Sequence, residues 1–164
     1  MKTISIAAIL LLATAAGFCG TPIPGEVSCD KGVDMARVQA LVRKTAAALK
    51  KDRATVIREI NAGDQQWKDG SLYVAVFEAT PHGTIVLAHG YWPWIVGQDI
   101  GSTRYLNTYP WMKSGQRIAL EKGEGCVQYQ FHNPAKSGQV EDKVTYVVRV
   151  TDTVRVSGGT YLIK

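Results

Sequence analysis

Apolar residues recur at helical spacing near the start of the chain and at alternating positions further along. Behind Asp34, which can cap a helix, one apolar stripe predicts a long helix. The stripe consists of Met35, Val38, Leu41, Val42, Thr45 and Leu49. Asp52 is a natural cap for a second, short helix, and Gly63 is a typical residue at which such a helix stops.

Strand patterns begin after these helices. Leu72 to Glu78 is apolar on both faces, which predicts a strand covered on both sides. The turn residues 80–83 separate it from a return strand, Thr84 to His89. Further predicted elements are a helix over Trp111 to Glu121 and strands near Cys126 to Phe131, Lys143 to Val150 and Thr153 to Ile163. We expect a bulge or break in the last strand, at Ser157-Gly158-Gly159.

The order of these elements predicts an α+β domain. Helices come first, then a hairpin, a long connection from Tyr91 to Tyr109, a helix and three strands that can pair antiparallel. A central antiparallel sheet of about five strands, with a helical layer on one face, is the simplest closure. The aromatic content of the long connection argues against disorder, and connections of this length are usually functional.

The N-terminus has the pattern of an export signal. Lys2 precedes an apolar run, Ile4 to Ala16, that is shorter than a membrane span. We therefore divide the chain into a signal peptide (1–20), a leader (21–33) and a single domain (34–164). No second apolar segment of spanning length follows, so we expect a periplasmic or secreted protein that does not span the membrane.

Composition limits the classes of partner. The 164 residues are 46% apolar, and 19 basic against 14 acidic side chains give a net charge of +5. The densest basic run, Arg43 to Arg53, falls on a predicted helix surface, where a solvated face is the commoner explanation. We therefore expect no nucleic-acid partner.

Two cysteines remain after the predicted cleavage. Cys29 and Cys126 would lie in an oxidising compartment, where a disulfide between them would tie the leader to the sheet. The alternative is two unpaired thiols that lie too far apart to bond. Because the chain has an odd third cysteine, Cys19, the sequence does not decide between these alternatives.

Catalytic and metal-binding patterns are missing from the sequence. The three histidines, His82, His89 and His132, show no metal-ligand spacing, and no nucleophile elbow or nucleotide-binding glycine pattern occurs. We expect no metal site, no cofactor and no enzymatic activity. One catalytic alternative remains, a Cys126 nucleophile assisted by His89.

A set of aromatic and polar residues in the long connection and the adjoining strands predicts a binding concavity. A small anion needs a cation or hydroxyl donors for its carboxylate, with aromatic walls that exclude water. The candidates are Tyr73, His89, Trp92, Trp94, Arg104, Tyr105, Tyr129, Lys143 and Tyr146.

Four segments together resemble one known family. They are Asp69-Gly70 with Tyr73 to Val76, Gly83 with Val86 to His89, Val96 to Ile100, and Gly123 and Gly125 followed by Tyr129, Asn133-Pro134, Lys143 and Tyr146. In order and spacing they resemble the single Cache domains, which are extracytoplasmic sensory modules with a PAS-like fold. The resemblance covers about Asp34 to Ile163. Cys126 stands where the family often has Trp, and Gly90 where it often has Pro.

The resemblance implies a long N-terminal helix, a central antiparallel sheet with flanking helices, and one pocket on the sheet. Family ligands are commonly small organic acids, amino acids or similar metabolites. By this likeness, His89, Tyr129, Lys143 and Tyr146 fall near the pocket, whereas Trp94 and Arg104 rest on the composition of the long connection.

Typical family members lie between membrane helices and feed an output domain. Here we expect a freestanding binding protein for a carboxylate-bearing ligand, presented to a membrane receptor or kinase. The alternative is a ligand-free module that docks on a membrane sensor through exposed Trp92 and Trp94.

Overall fold

The computed structural model describes residues 21–101 and 110–162, so the predicted signal peptide lies outside the described residues. The helices are α1 (Met35–Lys51), α2 (Arg53–Asn61) and α3 (Trp111–Lys122). The strands are β1 (Glu26–Val27), β2 (Lys68–Asp69), β3 (Leu72–Ala79), β4 (Thr84–His89), β5 (Glu124–Asn133), β6 (Gln139–Arg149) and β7 (Val154–Tyr161). Among these, no helix combines the length and apolar character that crossing a bilayer requires.

All described strands pair antiparallel in the order β1-β5-β6-β7-β3. Along its other edge, β3 pairs with β2 through its first residues and with β4 through the remainder. The five longer strands form the predicted α+β sheet. The two strands that the sequence did not indicate, β1 and β2, are only two residues long, too short for a period-2 pattern.

Both faces of the sheet are covered, as the apolar alternation of β3 predicts. Leu72, Val74 and Val76 belong to the core beneath α1, whereas Ala75 and Phe77 pack on the opposite face. The apolar stripe of α1 is buried against β7, β6 and β3. Each buried Val or Leu contributes about 1.5 to 3 kcal/mol relative to exposure, so this layer anchors the sheet.

Two of the three residues predicted at helix ends, Asp52 and Gly63, have the expected role. The Asp52 carboxylate accepts a hydrogen bond from the Thr55 amide at 3.1 Å, and Gly63 follows α2 with a φ of +80°. Asp34 does not cap α1 through its side chain, because its backbone is left-handed at φ +59°. Its carboxylate instead lies 3.4 Å from the Arg37 guanidinium.

The predicted bulge or break at residues 157–159 is wrong. Gly158 pairs in register with Val74 of β3 and Tyr146 of β6, and Gly159 pairs with Thr145 of β6. Between β3 and β4 the register shifts at Val76 and Phe77. The glycines permit close approach instead: a Cβ at Gly158 would lie 2.9 Å from a methyl group of Val42 on α1. A Cβ at Gly159 would lie 2.9 Å from Cε of Lys143.

The leader is attached to the sheet at two places. β1 pairs with β5, and Cys29 forms a disulfide with Cys126, with their Cα atoms 5.4 Å apart. Cys126 is 1% exposed in the core beneath α1. The disulfide closes a sequence separation of 97 residues, and crosslinks of this length stabilise most in the chain-entropy model.

Candidate functional site

A cavity of 260 Å³ lies on the sheet face opposite α1. Strands β3, β5, β6 and β7 form its floor, and α3 and the segment 92–100 form its walls. The residues around it are Tyr73, Ala75, Phe77, His89, Trp92, Trp94, Ile95, Gln98, Ile100, Trp111, Met112, Tyr129, Phe131, His132, Lys143, Thr145, Ser157, Gly158 and Gly159. The lining is apolar and aromatic with a few polar groups, as is usual for small-molecule sites.

Strand alternation decides which residues of β6 reach the cavity. Lys143 and Thr145 line it, whereas Val144 and Tyr146 belong to the core beneath α1. The prediction that Tyr146 shares the concavity with Lys143 is therefore wrong, because residues three apart on a strand point to opposite faces. The Tyr146 ring instead packs beneath the Arg43 guanidinium, 5.3 Å from its centroid.

Lys143 is the buried cation of the cavity. Its side chain is 5% exposed, and its Nζ lies 5.1 to 5.4 Å from three ring centroids, those of Tyr73, Phe131 and Tyr161. Among the described residues its hydrogen-bond partner is the Tyr73 hydroxyl, at a long 3.4 Å. No carboxylate of the described residues pairs with it. Burial lowers the pKa of Lys143 to about 8, so it is still mostly charged at pH 7.

His89 presents its other ring edge as a hydrogen-bond donor. Its Nδ1 accepts from the backbone amides of Tyr91 and Trp92 at 3.2 and 2.8 Å. Burial, and secondarily the Lys143 ammonium, lowers the pKa of His89 to about 4. The neutral ring therefore carries its proton on Nε2, because an Nδ1 that accepts two amide hydrogens cannot also hold one.

Contacts to the backbone and to the ring of His89 hold this residue in place. Asn61, the last residue of α2, accepts the His89 amide hydrogen at 3.2 Å and donates to the Leu87 carbonyl at 3.0 Å. The imidazole stacks on Trp92, with centroids 5.5 Å apart and planes 13° apart. The sharp turn after β4 is thus held by the same ring that borders the cavity.

Aromatic rings form the remaining walls. Trp111 of α3 stacks on Tyr129 at 4.0 Å, with planes 6° apart, and Phe131 meets both rings edge-on. The Tyr129 hydroxyl is hydrogen-bonded to the Thr145 hydroxyl at 2.8 Å. Burial raises the pKa of Tyr129 well above its ordinary value, so the phenol remains neutral. Trp94 stands at the mouth of the cavity and is 67% exposed.

Four of the six predicted site residues thus border one cavity: His89, Trp94, Tyr129 and Lys143. Tyr146 does not, and Arg104 lies outside the described residues. The prediction missed Phe131 and Thr145, although each follows a predicted residue by two positions and alternation places it on the same face. Trp111 and Met112 gave no such signal, because a helix pattern does not reveal which sheet face it covers.

The catalytic alternative is contradicted by the fold. Cys126 is disulfide-bonded and faces α1, whereas His89 borders the cavity on the other side of the sheet. A bonded sulfur on the opposite face cannot act as a nucleophile beside His89. Within residues 21–101 and 110–162, no three His, Cys, Asp or Glu side chains converge as metal ligands would.

A cavity of this kind can bind an anion that has an apolar part. The Lys143 ammonium and the His89 Nε2–H can donate hydrogen bonds to a carboxylate, and the surrounding rings exclude water, which strengthens those bonds. The same rings would contact the hydrocarbon part of the ligand.

Comparisons with known proteins agree with this fold. The family model described as Cache domain matches residues 39–153. A solved structure titled as the periplasmic sensor domain of a chemotaxis protein is similar, with 20% identity and a TM-score of 0.53, over 78% of this chain and 90% of that one. A second, titled as the structural basis for carboxylic acid recognition by a Cache chemosensory domain, has 18% identity and a TM-score of 0.50, over 79% and 90%. A search of curated protein sequences finds no match.

The family match spans more than half of the chain, from within α1 to the turn before β7. It contains the floor strands β3, β5 and β6 and the residues His89, Tyr129 and Lys143. The chain belongs to the Cache domain family of sensory domains.

Proposed function

We propose that this Cache domain is a non-enzymatic, extracytoplasmic binding protein for a small organic acid, whose carboxylate is held at Lys143. The observation that carries the proposal is the buried Lys143 ammonium, which faces the cavity with no carboxylate partner among the described residues. Burying an unpaired charge costs several kcal/mol, and a bound carboxylate would offset much of that cost.

The neighbouring groups favour a carboxylate over other anions. His89 is neutral and offers one N–H, and the Tyr73 hydroxyl lies beside Lys143. These groups provide only a few hydrogen-bond donors, which is enough for a planar, singly charged carboxylate. A phosphate is usually bound by several cations or by a helix N-terminus. One of the solved Cache structures that this fold resembles is titled for carboxylic acid recognition.

Two observations support an extracytoplasmic location. The Cys29–Cys126 disulfide fits an oxidising compartment, and sensory modules of this family are extracytoplasmic. We place the protein in the periplasm or outside the cell, where it would act as a freestanding binding protein and present its ligand state to a membrane receptor or kinase.

The alternative function is docking on a membrane sensor without a ligand. The exposed rings of Trp94 and Tyr91, which are 67% and 47% accessible, favour it. Trp92 does not, because its ring is partly buried between His89 and Phe131 and borders the cavity. A docking module without a ligand would not bind small acids, so a binding measurement with such acids separates the two functions.

The test is a thermal-shift screen against small organic acids, amino acids and amines, repeated with Lys143→Met and with the exposed Lys31→Met as the matched control. A ligand that binds only the folded state raises Tm with its concentration. We expect acids to raise Tm for the wild-type protein and for Lys31→Met, but not for Lys143→Met. A response to amines, or an acid response that survives in Lys143→Met, would contradict the proposal.

A further inference from the structure

A second buried cation lies on the same sheet face as Lys143. Arg155 of β7 is 6% exposed and pairs directly with Phe77 of β3. Its guanidinium lies 5.2 Å from the centroid of the Phe77 ring. None of the ion pairs or side-chain hydrogen bonds of the described residues involves this guanidinium, and burial alone lowers the pKa of Arg155 to about 10.

The position of Arg155 relates it to the cavity. Beside it is a gap of 20 Å³, with room for about one water molecule. This gap and the main cavity share six lining residues, namely Phe77, Ile100, Trp111, Met112, Thr145 and Ser157. Met112 is the flexible member of this boundary, because an unbranched thioether can change rotamer at little cost.

The two cations stand at opposite ends of the shared floor. Lys143 crosses β7 at Gly159, where its Cε fills the space of the missing Cβ. Arg155 lies four residues earlier on the same strand, and at 3.3 Å per residue the backbone positions of Gly159 and Arg155 are about 13 Å apart, which we take as the spacing of the two cations. With about 3 Å from each cation to a carboxylate oxygen, this span suits a linear chain of roughly five or six carbons with an acid at each end.

We infer that Arg155 is a second anion-binding residue of this cavity, and that the ligand is a linear dicarboxylate held between Lys143 and Arg155. This inference rests on the proposed function and specifies its ligand class. The guanidinium would bind the distal carboxylate after Met112 moves aside, and the aromatic floor would contact the chain between the two acids. A ligand of this kind pairs both buried charges at once.

The test compares adipate with hexanoate, which has the same six carbons and one acid group, by isothermal titration calorimetry. For the wild-type protein we expect adipate to bind on the order of tenfold more tightly, because a second charge-assisted contact is formed. Arg155→Met should weaken adipate by about tenfold or more and hexanoate by less than about twofold. Arg155→Lys, which keeps the charge, should retain the preference for adipate.

The exposed Arg149 is the matched control, because it faces Arg155 across the β6–β7 pair. Arg149→Met should leave the preference unchanged. Equal affinity of the wild-type protein for the two acids would overturn the inference without any variant, as would equal weakening of both acids by Arg155→Met. If Lys143→Met abolishes binding but no diacid preference exists, this inference fails and the proposed function stands. If Lys143→Met weakens neither acid, the proposed function itself fails.

Discussion

Replacing Lys143 by methionine should stabilise the ligand-free protein, although it removes the residue that we propose binds the ligand. The Lys143 ammonium is 5% exposed and has no carboxylate partner among the described residues. Burial lowers its pKa from 10.5 to about 8. At about 1.4 kcal/mol for each tenfold change in proton affinity, the buried charge costs about 3 kcal/mol of folding free energy at pH 7.

The pH dependence of unfolding shows whether the buried charge is the cause of the stabilisation by Lys143→Met. A lysine with a lowered folded-state pKa binds its proton more weakly when folded, so the cost is fully present below pH 8. It diminishes as the pH rises from about 8 to 10.5, where the folded protein loses the proton first, and it vanishes above. Urea unfolding of the wild-type protein, Lys143→Met and the exposed Lys31→Met, at pH 7 and near pH 10, measures this difference.

We expect Lys143→Met to raise the free energy of unfolding by about 2 to 3 kcal/mol at pH 7, and by much less near pH 10. Lys31→Met should differ little from the wild-type protein at either pH. Destabilisation by Lys143→Met at pH 7, or a gain that does not change with pH, would refute the reasoning. Lys143 would then stabilise the folded protein without a ligand, and its charge would not require a ligand carboxylate as its partner.

Three further predictions concern close packing, the disulfide and pH. Gly159→Ala should destabilise by about 1 to 3 kcal/mol in urea unfolding, because the added Cβ would lie 2.5 Å from the Thr145 hydroxyl; unchanged stability would show that the strands can separate there. Replacing both Cys29 and Cys126 by serine should cost about 4 to 5 kcal/mol for so long a closed loop, and a loss under 1 kcal/mol would contradict the chain-entropy estimate. Acid affinity measured by calorimetry should be level from pH 5 to 7.5 and then fall about tenfold per pH unit above 8 as Lys143 deprotonates; a fall centred near pH 6 would point to another group.

Much of the fold follows from local patterns. Apolar alternation on both faces of β3 requires cover on both sides, and the stripe behind Asp34 supplies one cover as α1. The other cover is α3 with the segment after β4. The order of the strands within the sheet is set by long-range pairing, which local periodicity does not reveal.

The errors at the site have two physical sources. Both the aromatic and polar pattern and the family likeness group Tyr146 with Lys143, although strand alternation separates residues three apart onto opposite faces. Arg155 gave no signal because arginine is mostly exposed. Its burial depends on long-range packing, which places Met112 and Gly115 of α3 and the Phe77 ring around it. The Ser157-Gly158-Gly159 pattern predicts a bulge or break, whereas in β7 the missing Cβ atoms of the two glycines permit close approach by Val42 and Lys143.

The central claim is that Lys143 holds a carboxylate in the cavity, and a crystal structure with the acid that gives the largest thermal shift tests it most directly. We expect a carboxylate oxygen within about 3 Å of Lys143 Nζ, with the His89 Nε2–H as a second donor and the hydrocarbon part against Trp92 and Phe131. An acid bound outside the cavity, or inside it with Lys143 Nζ still paired only to the Tyr73 hydroxyl, would contradict the account.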